Sequence, residues 1–197
     1  MTEDQSNQLE SILKQQDKLV KMWLEYWKDY STWETWQFWA IVFMLIIPLI
    51  IVIFAIDKSK AFHIGFYGFN IHTWFTYSDA IAMRTSYVTY PFQAIPIMPV
   101  NFALDASLVP VAFMLLYQWC LNRNKNVFFY GVILSGIFSF IVKPLLVSVD
   151  IIQLNKGMNY FYLFLNYLLI LVLSIIITKL FKYLRKKRKT FLHSNAH

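Results

Sequence analysis

The sequence predicts an all-α membrane protein, a bundle of five transmembrane helices with an N-terminal amphipathic helix. Of the 197 residues, 58% are hydrophobic and only 15% are charged, whereas a soluble domain of this size needs a larger charged surface. The hydrophobic residues lie in long runs, and about 20 such residues span the roughly 30 Å of bilayer hydrocarbon. Aromatic residues make up 19% of the chain, which is typical of lipid-facing surfaces and interfacial belts.

Five runs are long enough to cross the bilayer. They are Phe38–Ile56, Ala61–Met83, Met98–Leu121, Val127–Val149 and Met158–Thr178. The second run is the least apolar and is expected to be the most irregular, because it carries two histidines, an asparagine and an aspartate. The loop that follows it holds Pro91, Pro96 and Pro99, and three prolines in nine residues predict that it contains no regular helix. The chain therefore divides into an N-terminal helix (1–36), a five-helix bundle (37–181) and a basic tail (182–197).

Lysine and arginine residues beside the spans predict the orientation. Seven lie between residues 179 and 189, and the loops on the same side add four, against four on the opposite side. By the positive-inside rule, the C-terminus is cytosolic and the N-terminus lies outside the cell membrane. The net charge of +7 is thus an orientation signal and does not indicate nucleic-acid binding.

The N-terminal segment has apolar residues at spacings of three and four, a pattern typical of an amphipathic helix. The seam consists of Leu9, Ile12, Gln16, Leu19, Trp23, Tyr26, Tyr30 and Trp33. Three interpretations remain open. The helix lies flat on the lipid bilayer, pairs with a membrane partner or another copy of itself, or continues into the first span.

Three charged residues fall inside the predicted spans. At about 1.5 Å per residue, Asp79, Asp105 and Lys143 lie roughly 6, 10 and 9 Å below the outer boundary. Their similar depth predicts a buried charge cluster in the outer leaflet. Polar residues at helical spacing from these charges predict a polar pocket open to the outside. These are His72, Thr76, Asn101, Ser135 and Ser139.

The cluster has three interpretations. It locks the bundle together, as small and hydroxylated residues also do at close helix crossings. Alternatively, it forms a site for an ion, a proton or a small solute. In the third interpretation Lys143 extends to the interface and contacts lipid headgroups.

No catalytic or cofactor motif occurs in the sequence. There is no nucleophile elbow, phosphate-binding glycine loop or zinc-protease motif, and neither the four histidines nor the single cysteine has metal-ligand spacing within the membrane. We therefore expect no enzyme activity, no cofactor and no metal. The sequence favours a non-catalytic component of a membrane complex, with a small channel or transporter lined by the cluster as the alternative.

The stretch from Trp33 to Pro144 resembles a family of uncharacterised multi-pass membrane proteins from spore-forming Gram-positive bacteria. The shared features are Trp33-x-x-Trp36, Asp57-Lys58, Gly68, Asp79, Tyr90-Pro91, the prolines before the third span, Asp105, Pro110-Val111, Met114-Leu115-x-Tyr117-Gln118 and Phe140-x-x-x-Pro144. The resemblance implies a fold and no activity. Members of the family carry an acid before the fourth-span proline, where this chain has Lys143.

Overall fold

The computed structural model describes the backbone of residues 1–194 and the side chains of residues 1–185. The described chain is all-α apart from one two-stranded sheet, which confirms the all-α part of the predicted fold class. Its helices are α1 (Glu3–Tyr30), α2 (Trp36–Ala55), α3 (Ala61–Arg84), α4 (Val109–Asn122), α5 (Val127–Ile137), α6 (Lys143–Ser148) and α7 (Tyr160–Ser194). There are also two π-helical segments. π1 (Leu104–Leu108) directly precedes α4, and π2 (Phe138–Val142) connects α5 to α6. Most of the basic residues of the predicted tail (182–197) have side chains outside the described residues.

Four helical stretches in the described chain are long and apolar enough to cross a membrane, which is consistent with a membrane location. They are Trp36–Ala55, Leu104–Asn122, Val127–Ser148 and Tyr160–Arg185. α3 is as long as these, with 24 residues, but it is less apolar because it carries His63, Asn70, His72 and Asp79.

The N-terminal helix is separate from the first span. α1 ends at Tyr30, and α2 begins only at Trp36. The side chain of Thr35 accepts the N–H of Phe38 and caps α2, while its hydroxyl donates to the carbonyl of Thr32. These bonds hold residues 31–35 in a turn, so the interpretation that the N-terminal helix continues into the first span is wrong.

α3 lies at the centre of the bundle, packed against both α4 and α7. The crossing with α4 is close because Gly68 has no side chain, and a Cβ there would lie 2.2 Å from Cγ of Met114. A second close crossing joins α5 to α7, where a Cβ on Gly131 would lie 2.6 Å from Cδ1 of Leu171. Small residues thus permit the tight helix packing that membrane bundles use.

α2 lies at the edge of the bundle and buries only Ile41 and Pro48. Most of its other side chains are apolar and exposed, for example Ile53 at 65% and Phe54 at 85%. An apolar surface of this kind suits contact with lipid tails and not with water.

One end of the bundle is closed by side-chain clamps. Gln118, near the end of α4, donates its Nε2 to the carbonyl of Ala55 at 2.9 Å and accepts the N–H of Asp57 at 2.7 Å. The hydroxyl of Tyr117 lies 2.9 Å from Nε2 of His63. We call this end, with the loops at residues 56–60 and 123–126, the clamp end.

The opposite end, which we call the cavity end, carries the segments at residues 85–103 and 149–159. Its proline-rich segment contains no regular helix before Phe102, as predicted from the spacing of the prolines. The sequence did not predict that β1 (Val88–Thr89) pairs antiparallel with β2 (Gln153–Leu154). The side chain of Asn155 strengthens this pairing by donating to the hydroxyl of Thr89 at 2.9 Å.

Candidate functional site

A cavity of about 350 Å³ lies at the cavity end, between the second half of α3, the start of α7 and the small sheet. Asp79, Asp105 and Lys143, which come from three separate segments of the chain, all line this cavity. Most of the remaining wall is apolar or aromatic. Its apolar part includes Ile81, Leu154, Met158 and Leu163. The three charged residues predicted from the sequence therefore line one cavity.

Asp79 is held by two hydrogen bonds. Its Oδ1 accepts the hydroxyl of Tyr90 at 2.5 Å, and its Oδ2 accepts the backbone N–H of Asn101 at 3.1 Å. Burial raises the pKa of Tyr90 well above its usual range, so this phenol remains a donor at neutral pH. Asn101 begins the helical stretch that contains Asp105, and a carboxylate at a helix N-terminus stabilises the helix. Asp79 thus has a structural role in addition to its place in the cavity wall.

The carboxyl group of Asp105 accepts fewer hydrogen bonds than that of Asp79. Only 3% of its surface is exposed, and its Oδ2 has no hydrogen-bond partner among the described residues. The carboxyl group of Asp79 lines the same cavity. A buried polar atom without a partner is costly and is uncommon in native structures.

Lys143 is buried across the same cavity, with 7% of its surface exposed. The ion pairs in the described part of the chain are Lys14 with Glu10 and Lys60 with Asp57, so no carboxylate oxygen lies within 4.0 Å of the Lys143 ammonium. The three charged residues predicted to form a cluster thus line one cavity, without a direct ion pair between them. The positive and negative groups instead lie apart in one cavity wall.

Both residues are positioned by π-helical turns that are followed by a proline. Asp105 lies within π1, two residues before Ser107, and Pro110 follows the segment; Lys143 follows π2 directly and precedes Pro144. Proline has no N–H, so in each case one carbonyl in the preceding turn has no helical donor. Such π segments inside α-helices occur frequently at functional sites.

His72 uses the carbonyl that π1 leaves open. In the π pattern, Val109 donates to the carbonyl of Leu104, and the next donor would be Pro110, which has none to give to the carbonyl of Asp105. Nδ1 of His72 donates to that carbonyl at 2.8 Å. Because a carbonyl only accepts, Nδ1 is the protonated nitrogen in this arrangement. The hydroxyl of Thr76 lies 3.3 Å from the same Nδ1.

The five polar residues expected to line the pocket lie around it and do not form its wall. His72 and Thr76 hold the π1 backbone, and Oδ1 of Asn101 caps the same helical stretch by accepting the N–H of Leu104 at 3.1 Å. Ser135 donates to the carbonyl of Gly131 within its own helix. Ser139 is fully buried in π2, and its hydroxyl has no partner among the described residues.

Two tyrosines of the site were not identified from the sequence. Tyr90 holds Asp79, and Tyr167 lines the cavity with a buried hydroxyl that has no partner among the described residues. Asn166 lies beside Tyr167, and its Nδ2 donates to the hydroxyl of Ser78 at 3.1 Å. This polar pair inside an otherwise apolar span was the available signal for Tyr167. No comparable pattern marks Tyr90, because the loop brings it to Asp79.

Below the cavity, aromatic rings close the centre of the bundle. The ring of Tyr167 stacks on that of Phe138 at 5.8 Å between centroids and on that of Phe113 at 6.4 Å, and it contacts Phe75 at 4.5 Å. We call these four residues the aromatic plug. Phe113 is fully buried and the other three are at most 5% exposed, so the plug separates the cavity from the clamp end.

The N-terminal helix meets the bundle beside the cavity. Nε1 of Trp27 donates to the carbonyl of Gln93 at 2.8 Å, and the N–H of Gln93 donates to the hydroxyl of Ser31 at 3.0 Å. These bonds attach the C-terminal end of α1 to the proline-rich segment. Residues 1–22, which include most of α1, are exposed, and among them are the apolar residues Leu9, Ile12 and Leu13.

The chain matches no protein-family model, no curated protein and no solved structure.

Proposed function

We propose that this chain is a non-catalytic, multi-pass membrane protein that binds a ligand in the charged cavity and acts as a component of a membrane complex. The observation that carries the proposal is the separation of Asp105 from Lys143 within one cavity wall. Ionisable groups at membrane depth are costly and usually functional. A purely structural role would be better served by a direct, hydrogen-bonded ion pair.

The proposal includes five spans, with the N-terminus outside and the basic tail in the cytosol. α3 supports the fifth span, since its 24 residues extend about 36 Å and exceed the roughly 30 Å of hydrocarbon. α3 also packs against α4 and α7, which belong to stretches apolar enough to cross a membrane. In this arrangement the cavity end lies at the outer leaflet.

Cysteine labelling tests this topology. In a Cys120→Ala background, Ser6→Cys and Lys125→Cys each introduce one exposed thiol. With five spans, a membrane-impermeant maleimide labels position 6 in intact cells and position 125 only after permeabilisation. If α3 does not cross the membrane, both positions lie on the same side, and labelling of both in intact cells would refute the five-span proposal.

The exposed apolar residues of α1 support a role in a complex. Helices of this pattern bind to a partner helix, to another copy of the chain or to the membrane surface. Deleting residues 3–18 leaves Trp27 and Ser31 in place, so the thermal unfolding of the bundle is expected to remain unchanged. Blue native electrophoresis of solubilised membranes should then show a smaller complex. An unchanged mass of the complex would show that α1 takes no part in its assembly.

Transport is the second candidate, and the two π segments favour it because local irregularity next to a charged site permits helices to bend. The aromatic plug opposes conduction in the conformation described here. We expect purified protein in liposomes to give no K⁺ or H⁺ flux above that of protein-free liposomes. A flux that Asp105→Asn abolishes, with Asp150→Asn as the exposed control, would favour a transporter over a binding component.

A further inference from the structure

We propose that the cavity binds the headgroup of an aminophospholipid, with the ammonium group at Asp105 and the phosphate at Lys143. This inference rests on the proposed ligand-binding function and names its ligand class. It is carried by the polar groups that the cavity leaves without partners and by the apolar route through which a lipid enters.

The unpartnered groups are of both chemical kinds. Oδ2 of Asp105 is an acceptor without a donor among the described residues, and the carboxyl group of Asp79 lines the same cavity. The hydroxyl of Tyr167 lacks a partner, and the ammonium of Lys143 has no carboxylate within 4.0 Å. A cation alone would leave Lys143 without a counter-charge. An anion alone would leave the carboxyl groups without one. A zwitterion satisfies both sides.

The ligand ammonium must be able to donate hydrogen bonds. Two carboxyl groups close together accept several donors, and a primary ammonium carries three. Asp79 already accepts from Tyr90 and Asn101, so Asp105 provides the open acceptor. A quaternary ammonium carries no N–H and would leave Oδ2 of Asp105 unsatisfied. This chemistry selects ethanolamine over choline headgroups.

The walls of the cavity point to a lipid and not to a small water-soluble zwitterion. The cavity reaches the surface between the end of α3 and the start of α7, where Ile81 is 66% exposed and Tyr162 is 55% exposed. Met158 and Leu163 continue this apolar lining inward. An acyl chain can follow these side chains while the headgroup lies among the charges. The volume of about 350 Å³ is within the range of about 300–1,000 Å³ for small-ligand pockets.

Native mass spectrometry of the full chain tests this assignment. The protein is reconstituted in nanodiscs of equimolar phosphatidylethanolamine, phosphatidylcholine and phosphatidylglycerol with identical acyl chains, and the lipids retained after transfer to detergent are counted. We expect one retained phosphatidylethanolamine per chain. Its preference over phosphatidylcholine should be about tenfold, as expected for one charge-assisted hydrogen bond. Equal retention of these two lipids would overturn the proposal.

Two variants separate the two contacts. Asp105→Asn should remove the preference for ethanolamine over choline, whereas Lys143→Met should reduce retention of both lipids because both carry a phosphate. Asp150→Asn and Lys125→Met make the same charge changes at exposed positions and should behave as wild type. A wild-type ethanolamine preference in Asp105→Asn would refute the ammonium assignment.

A third variant controls for the possibility that the charge variants lose lipid only because they unfold. Leu163→Trp fills the cavity without changing a charge, and it should abolish lipid retention while the protein keeps a cooperative thermal transition. Persistent retention in this variant would show that the lipid binds elsewhere.

Calorimetry with O-phosphoethanolamine or leucine tests whether the ligand is a lipid or a soluble zwitterion. If either compound binds as tightly as the lipid, the ligand is a soluble zwitterion and the lipid assignment is wrong. The cysteine-labelling result does not depend on lipid retention, so failure of the topology and failure of this assignment are distinguishable.

Discussion

The two ends of the helical bundle differ in how their amide and ionisable side chains are partnered. At the clamp end, Gln118 uses both its donor and its acceptor on the backbone between α2 and α3, and the Tyr117 hydroxyl contacts His63. At the cavity end, Oδ2 of Asp105 and the Tyr167 hydroxyl have no partner in the described part of the chain. Satisfied polar groups specify how helices pack, whereas unsatisfied groups around a cavity indicate a ligand. The comparison therefore assigns structure to one end and binding to the other.

The largest expected effect is in the aromatic plug between the two ends. Phe113→Ala removes a fully buried ring that stacks on Phe138 and Tyr167. We expect a loss of about 3 kcal/mol, at the low end for this change because transfer from water contributes little within a bilayer. SDS-induced unfolding followed by tryptophan fluorescence measures it. Phe128→Ala is the control, since Phe128 is half exposed, and an equal loss in both would contradict a packed plug.

The next effect distinguishes the structural carboxyl group of the cavity from the binding one. Tyr90→Phe removes the donor to Oδ1 of Asp79, a hydrogen bond to a charged group, and should cost about 2 kcal/mol in the same unfolding measurement. Tyr87→Phe, at an exposed tyrosine in the same segment, should change stability little. Lack of a difference between the two variants would show that Asp79 does not depend on Tyr90.

A smaller loss is expected at the clamp end. Gln118→Leu leaves the carbonyl of Ala55 and the N–H of Asp57 without their partners, and both groups are partly reachable by water. We expect a cost of about 1 kcal/mol. A neutral Gln118→Leu would remove the contrast between the two ends.

Removing the charges of the cavity should not lower the free energy of unfolding, in contrast to the three changes above. The double variant Asp105→Asn/Lys143→Met removes buried charges that are not directly paired, and we expect unchanged stability or a gain of about 1 kcal/mol. The single Lys143→Met variant should be less stable than the double because it leaves two carboxyl groups in the cavity without a cation. A large loss in the double variant would show that these charges lock the bundle, and the difference between the ends would disappear.

The smallest effect concerns pH at the clamp end. The hydrogen bond from the Ser59 side chain lowers the pKa of Asp57 from its ordinary value of 3.8. A lowered pKa in the folded state stabilises the protein above about pH 3.8, and this contribution is lost as the pH falls through the lowered value. Ser59→Ala should move the titration back toward 3.8, which carboxyl ¹³C NMR detects, with Asp57→Asn identifying the resonance. An unshifted titration would show that Ser59 does not hold this carboxylate.

Most of the helical architecture followed from the sequence. The apolar runs identified all five long helices of the bundle, and the prolines between Pro91 and Pro99 correctly excluded helix from that segment. Helix boundaries depend on local side-chain bonds, so the apolar pattern alone did not predict the turn at residues 31–35, where Thr35 caps α2. The pairing of β1 with β2 joins segments more than 60 residues apart, and no local pattern in either strand encodes it.

The site divides in the same way. Charge within apolar runs identified Asp79, Asp105 and Lys143 from the sequence alone, because burying an ionisable group is costly wherever the helix is placed. Helical spacing also selected His72 and Asn101, but it could not show that they hold the backbone around π1 and do not line the cavity. The separation of Asp105 from Lys143, and the contributions of Tyr90 and Tyr167, were decided only by the tertiary structure. The reason is that helix packing and loop closure, and not spacing along the chain, determine which side chains meet.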